Sequence, residues 1–106
     1  MGENMVTSRS EIFSILDSLK ETLREMGVMR LGLFGSFARG ENTSRSDVDV
    51  IVTFLPGYKN YDNFYSLAEL LEKHFGRKVE ILTEESVSPH LRREIGKDIG
   101  YYEVAA

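Results

Sequence analysis

The sequence predicts a mixed α/β fold, a small mixed β-sheet covered by helices in the order α-β-(α)-β-α-β-α, and three observations predict it. Two segments repeat apolar residues at three- and four-residue steps, the period of a helix with one buried face. Short runs rich in β-branched residues lie between them, as strands prefer. Glycines and a Pro-Gly pair stand at the junctions, where the chain must turn. Helical and strand segments alternating in this way bury a sheet under helices.

The first helix is expected over 10–26. Ser8 and Glu11 have capping-box spacing, with Ser8 or Ser10 as the cap. Ile12, Ile15, Leu16, Leu19, Leu23 and Met26 form one apolar face, and Gly27 is placed to end the helix in a left-handed conformation. A strand follows over 28–34, closed by Gly35, then a turn or short helix over 36–40 and a polar loop over 42–46. The second strand is expected over 47–54, and Pro56-Gly57 stops it. Phe64, Leu67, Leu70, Leu71 and Phe75 repeat with helical spacing, so a helix is expected over 63–74 with Gly76 at its end. A third strand is expected over 78–82. A last helical segment begins near Ser88-Pro89, since proline suits a first turn, and runs through Leu91 and Ile95. The tail over 99–104 either packs back on the domain or meets a partner. The link between the first two strands is short, so that pair need not be parallel. Tyr58, Tyr61, Phe64 and Tyr65 cluster after the second strand, where a lip over an adenine or a partner surface is open to them but core packing is the simpler account, and Tyr101 and Tyr102 have no assigned role.

At 106 residues the chain has the length of one domain, spanning 1–106, with enough core to fold unaided. Charged residues make up 28%, the balance of a globular protein rather than a disordered one. No apolar run approaches the roughly 20 residues that cross a bilayer. The start, Met1-Gly2-Glu3-Asn4, is polar and acidic, unlike a secretory leader, so a cytoplasmic protein without membrane attachment is expected. The absence of cysteine excludes a disulfide framework, a thiolate nucleophile and Cys-ligated zinc. A net charge of −4 argues against a general nucleic-acid binder, which shows a basic surface. It fits a protein that holds divalent metal through clustered carboxylates.

The chemistry is concentrated in Leu33-Phe34-Gly35-Ser36-Phe37-Ala38-Arg39-Gly40-Glu41 and in Ser44-Arg45-Ser46-Asp47-Val48-Asp49-Val50. Two aspartates two apart on a strand leave the same face roughly 6–7 Å apart along the backbone. Such a pair can converge on hard cations, and Mg²⁺ is commonly shared between a few carboxylates and substrate phosphates. A strand that ends in glycine and enters a helical turn exposes backbone N–H groups to an anion. Gly35 lets phosphate oxygens approach the backbone, Ser36 adds a hydroxyl, and Arg39 and Arg45 add charge nearby. The combination asks for a nucleoside triphosphate. Nucleotidyl transfer also needs a group to orient and deprotonate the attacking hydroxyl. Glu80, between Val79 and Ile81, is the candidate, facing away from the core and towards the aspartates.

Gly35-Ser36, ten residues, then Asp47-x-Asp49 resembles the signature of the DNA polymerase beta-like nucleotidyltransferase superfamily. The surrounding Gly35-Ser36-Phe37-Ala38-Arg39-Gly40 and Ser46-Asp47-Val48-Asp49 resemble its minimal nucleotidyltransferases, the MNT group. The preceding helix, the Glu80 strand and the closing Leu91-Arg92-Arg93 segment extend the likeness along the chain. The resemblance implies the nucleotidyltransferase fold and a partnership with a HEPN-domain protein, in which the MNT protein acts as antitoxin by transferring AMP from ATP to a tyrosine hydroxyl of the HEPN toxin. It implies Mg²⁺ held by Asp47, Asp49 and Glu80, with Glu80 as base, and nucleotide contacts from Gly35, Ser36, Arg39 and Ser46. The third acid is often aspartate in this group and is glutamate here, one methylene longer. Binding antitoxin without catalysis, and transfer to a small molecule or an RNA end, stay open as alternatives, as do a homodimer and a hetero-oligomer with the partner.

Overall fold

The computed structural model describes residues 5–105; Met1-Gly2-Glu3-Asn4 and the reading placed on them lie outside the described residues. The elements are α1 (Arg9–Ser18), α2 (Lys20–Glu25), β1 (Val28–Phe34), α3 (Gly35–Arg39), β2 (Val48–Phe54), α4 (Tyr61–Phe75), β3 (Val79–Thr83), a 3₁₀ turn over Glu84–Ser86, α5 (Pro89–Gly96) and β4 (Gly100–Glu103). The strands form one sheet in the order β3-β2-β1-β4. β1 runs antiparallel to both β2 and β4, and β2 runs parallel to β3. The mixed sheet anticipated from the short first connection is therefore observed.

Ser8 is the N-cap of α1, its hydroxyl accepting from the Glu11 N–H at 3.2 Å. The helix expected over 10–26 is interrupted at Leu19, which leaves the α-helical region with φ −99° and ψ 7°. Just before it, the Ser18 hydroxyl donates to the Ile15 carbonyl at 2.6 Å, and such back-bonding competes with the helical ladder. The apolar stripe continues across the break, so Ile12, Leu16 and Leu23 are all buried. α4 begins at Tyr61, slightly before the periodic apolar residues, because the Asn60 side chain caps it by accepting from Asn63 N–H at 2.8 Å.

The two sheet faces are used differently. Leu31, Leu33, Val48, Val50, Val52 and Val79 point into the main core, beneath α1, α2 and α4. Alternation along β1, β2 and β3 sends the intervening residues to the other face. There Ile51, Val87 and Ile95 make a smaller cluster with Phe34, Leu82 and Ile99, and α5 covers only part of the face.

The tail supplies β4. Leu31 pairs with Tyr102 and Gly32 with Tyr101, and Val104 is buried. The Tyr102 hydroxyl donates to Asp17 Oδ1 at 2.8 Å, tying β4 to α1. Burial first, and then the Asp17 carboxylate, push the Tyr102 phenol up to about 12. Tyr58, Tyr61 and Tyr65 do not pack in the core as expected: they are 44%, 75% and 60% exposed. Residue Tyr58 covers Gly27, and Tyr61 stacks on Tyr65 at 5.7 Å between centroids, so the rings satisfy one another at the surface. Among the described residues no helix is long and apolar enough to cross a membrane.

Among the described residues Arg77 is the one buried charged side chain, 9% exposed. Its Nε donates to Val6 O at 2.7 Å, and its Nη1 lies 3.2, 3.2 and 2.9 Å from the carbonyls of Thr43, Ser44 and Ser46. Its guanidinium lies 5.1 Å from the centre of the Phe37 ring. Arg77→Leu removes these donors and strands carbonyls in a partly buried loop, so it should cost about 3 kcal/mol, read as a lower urea midpoint at unchanged m-value.

Candidate active site

β1 delivers the chain to Gly35, whose φ is +77°. Only glycine adopts that backbone without strain, and a Cβ there would overlap the Asp49 carboxylate. The register makes this contact unavoidable: Phe34 is opposite Asp49 across the β1–β2 ladder. α3 then runs through Ser36, which is half-buried, and closes at Gly40, with the Ser36 carbonyl accepting from Glu41 N–H at 2.9 Å.

Asp49 is half-buried on β2, and its partner on the parallel side is Glu80 of β3. Both side chains leave the face opposite the main core, so Glu80 faces the aspartate side as expected. Asp49 is pushed up to about 6, first by burial, then by the charge of Glu80 and a hydrogen bond shared with it, then by Asp47, while Arg39 opposes the rise. Asp47 differs from expectation. It is exposed and precedes the strand, because the ladder begins one residue later, where Val48 N–H donates to Lys78 O at 3.0 Å. Asp47 therefore stands one residue before β2, and its charge still reaches Asp49. Among the described residues no three His, Asp or Glu side chains are gathered tightly enough to hold a metal ion as they stand.

Arg39 is exposed, and its Nε donates to Glu41 Oε1 at 2.9 Å. That bond is the main reason its guanidinium is held above its usual range, with Asp98 and Asp49 contributing more weakly. The Ser46 hydroxyl accepts from Thr43 N–H at 2.8 Å, closing the turn before Asp47, while its carbonyl belongs to Arg77. Arg77 thus links the loop leading to Asp47 with Phe37 of α3. Nothing in the sequence marked it, since its partners are backbone carbonyls spread along the chain.

A cleft of about 400 Å³ opens beside the turn, lined by Phe34, Gly35, Arg39, Leu91, Ile95 and Asp98 among others. Its far wall is α5, capped by the Ser88 hydroxyl and held by Arg92, which donates to Glu84 Oε2 at 2.9 Å and to the Glu84 carbonyl at 3.0 Å. Leu91 and Ile95, spaced four apart in a largely polar segment, were the available signal for this wall.

Residues 16–101 match the profile of the nucleotidyltransferase domain. The chain is 39% identical over 95 residues to MJ1379 of Methanocaldococcus jannaschii, provisionally named a protein adenylyltransferase, covering 87% of this chain and 95% of that one. It is 36% identical over 94 residues to the protein adenylyltransferase MntA of Thermococcus cleftensis, covering 86% and 92%. A solved structure provisionally titled a minimal nucleotidyltransferase superposes with a TM-score of 0.77 at 27% identity, covering 93% of this chain and 98% of that one. An MNT antitoxin from Shewanella oneidensis, solved in complex with a tri-AMPylated HEPN toxin, superposes at 0.60 with 18% identity over 87% and 69%; that likeness speaks to the fold alone. The chain belongs to the nucleotidyltransferase domain family, in its minimal group, and is a nucleotidyltransferase.

Folding raises the Asp49 carboxyl from 3.8 to about 6, so between these values the folded protein binds the proton more tightly than the unfolded chain. Stability must then fall as pH rises through that window and stay lowered above it. In metal-free protein, Asp49→Asn should melt with wild type near about pH 4 and a few degrees above it at neutral pH. Equal melting at both pH values, followed by circular dichroism, would mean that Asp49 ionises in the fold without cost.

Proposed function

From this family membership we propose that the protein transfers AMP from ATP, with Mg²⁺, to a tyrosine hydroxyl of a HEPN-type partner and so acts as its antitoxin, residues 1–106 working as one catalytic domain. The observation that carries the reading is the in-register pairing of Asp49 with Glu80 directly beside the Gly35 turn. The names of the relatives, protein adenylyltransferases, and the MNT–HEPN complex among the fold neighbours support the acceptor class.

The acidic group fits a divalent cation. Its donors are hard carboxylate oxygens, and Asp49 carries negative charge that burial, Glu80 and Asp47 all make costly, while the nearest opposing cation is already paired with Glu41. Asp49 and Glu80 would hold Mg²⁺, with Asp47 reaching it from the adjoining turn. When bound there, Mg²⁺ supplies charge neutralisation on the triphosphate and polarises the reacting phosphate.

The chain's own groups do the rest. The glycine at position 35 lets phosphate oxygens approach the backbone without a side chain in the way, and Ser36 offers a hydroxyl donor beside it. Arg39 contributes positive charge at the rim, exchanging Glu41 for phosphate. Ser46 fixes the turn that presents Asp47. Glu80 accepts the proton of the attacking tyrosine hydroxyl. The new bond joins that oxygen to the α-phosphorus, the α–β phosphoanhydride bond breaks, and diphosphate leaves.

With α-labelled ATP, Mg²⁺ and the HEPN partner, label should pass to the partner, and Asp49→Asn should lower the rate by about 100-fold or more while still binding the partner. Retained transfer in that variant would sink the metal assignment. A tight complex that never takes label would overturn transfer itself.

A further inference from the structure

Asp47 is exposed and stands before β2, yet the backbone on both sides of it is held from within the fold. The peptide group before it carries the Ser46 carbonyl, which accepts from Arg77 Nη1 at 2.9 Å. The peptide group after it carries the Val48 N–H, which donates to the Lys78 carbonyl at 3.0 Å. Arg77 and Lys78, consecutive residues just before β3, thus fix both peptide planes that flank Asp47. Since φ and ψ are the only soft backbone torsions between two planar peptides, the direction in which Asp47 presents its side chain is fixed with them.

Arg77 is itself firmly seated. Its Nε donates to Val6 O at 2.7 Å, and the Val6 N–H donates in turn to Phe75 O at the end of α4 at 2.9 Å. Next to it, Asn42 Nδ2 donates to Thr7 O at 2.9 Å, so the same N-terminal segment grips the start of the 42–46 loop. Nη1 also reaches the carbonyls of Thr43 and Ser44, and the guanidinium packs on Phe37 of α3. These partners are carbonyls rather than a carboxylate, so burying the charge carries a desolvation cost that an apolar side chain would avoid. What the planar fork supplies is direction, with N–H groups at fixed angles. Here they face Val6 on one side and the turn on the other.

We propose that Arg77 is a positioning residue for the metal site, holding the 43–46 turn so that Asp47 is presented towards Asp49 and Glu80. The inference rests on the Mg²⁺-dependent reading above and extends it to a buried side chain that the reaction itself does not use. Asp49 and Glu80 are placed by the β2–β3 ladder. Asp47 lies outside that ladder and needs a device of its own. A turn left free would have to be ordered when the cation binds, and that loss of entropy would weaken binding. With Arg77 in place the ordering belongs to folding instead.

The test is calorimetric titration of the whole protein with a non-hydrolysable ATP analogue, once with Mg²⁺ and once with chelator, well below each variant's melting temperature. The ratio of the two affinities isolates the share due to the metal. Arg77→Lys keeps the charge but loses the fork, and should shrink this ratio about tenfold, as residues that orient metal ligands do. Affinity in chelator should stay within about twofold, since sites without shared partners act independently. Asp47→Asn should shrink the ratio at least as much, and adding Arg77→Lys to it should cause no further loss, because residues acting through one another are not additive. Val104→Ala, a truncation in the main core away from the turn, should lower the melting temperature and leave the ratio unchanged. A folded Arg77→Lys protein with the wild-type ratio, or losses that simply multiply in the double variant, would overturn the positioning role. Should Arg77→Lys fail to fold, Phe37→Leu, which removes the ring beside the guanidinium, is read in its place: a smaller ratio supports the role and an unchanged one overturns it. Wild-type protein whose affinity for the analogue gains nothing from Mg²⁺ would instead overturn the metal reading beneath, so the two failures are distinguishable.

Discussion

The register between β1 and β2 is the constraint on which the site depends. Because Phe34 lies opposite Asp49, the residue after Phe34 is pressed against the Asp49 carboxylate, and only a residue without a side chain fits there. A shift of one position would turn Asp49 into the main core and Val48 or Val50 out to solvent. The buried valines of β2 therefore enforce the position of the aspartate as strongly as anything in the site itself. The parallel β2–β3 register then brings Glu80 beside it. The Gly35 turn, Asp49 and Glu80 thus stand in one row across adjacent strands of the sheet.

That row is electrostatically unfavourable by itself. Asp49 is half-buried beside another carboxylate, with little positive charge to offset it. The main hydrophobic cluster lies on the opposite sheet face, away from this row. Positive charge that could have neutralised the acids is used elsewhere. Arg77 is committed to the carbonyls of the 43–46 loop and of Val6, and Arg39 to Glu41. The arginines nearest the row are thus engaged in holding loops rather than in neutralising the acids, and perturbed carboxylates of this kind gather at functional sites.

Much of this could be read from the chain before the structure. Strand β1 was placed at its observed limits and α4 nearly so, since their signals are local: an apolar run closed by glycine, and a helical period ended by another. Glycine 35 and Asp49 were paired by spacing, and the structure brings them into contact. What escaped is non-local. The break at Leu19 leaves the apolar period running through it, so the period does not reveal it. The start of β2 depends on which residue first meets Lys78, so Asp47 fell outside it. β4 is short and carries two tyrosines and a glutamate, and becomes a strand only because β1 offers an unpaired edge. The exposed tyrosines at the start of α4 have the composition of core residues, and only the fold reveals that Asn60 caps the helix with them facing outward.

The second sheet face shows how so small a fold makes room for a substrate. A sheet of this length covered by helices on both sides would have no open surface at the row of acids. Here α5 is short and its apolar stripe only half used: Ile95 anchors it over Ile51, and the clasp between Arg92 and Glu84 sets its tilt at the end away from the acids. The cleft exists because the anchor and the clasp hold the helix at a fixed distance from the Gly35 turn. The same few residues that complete the smaller core therefore set the width of the opening beside Asp49. Fold stability and access to the site are consequently coupled through α5, and a substitution that lets this helix settle onto the sheet would gain packing at the expense of the cleft.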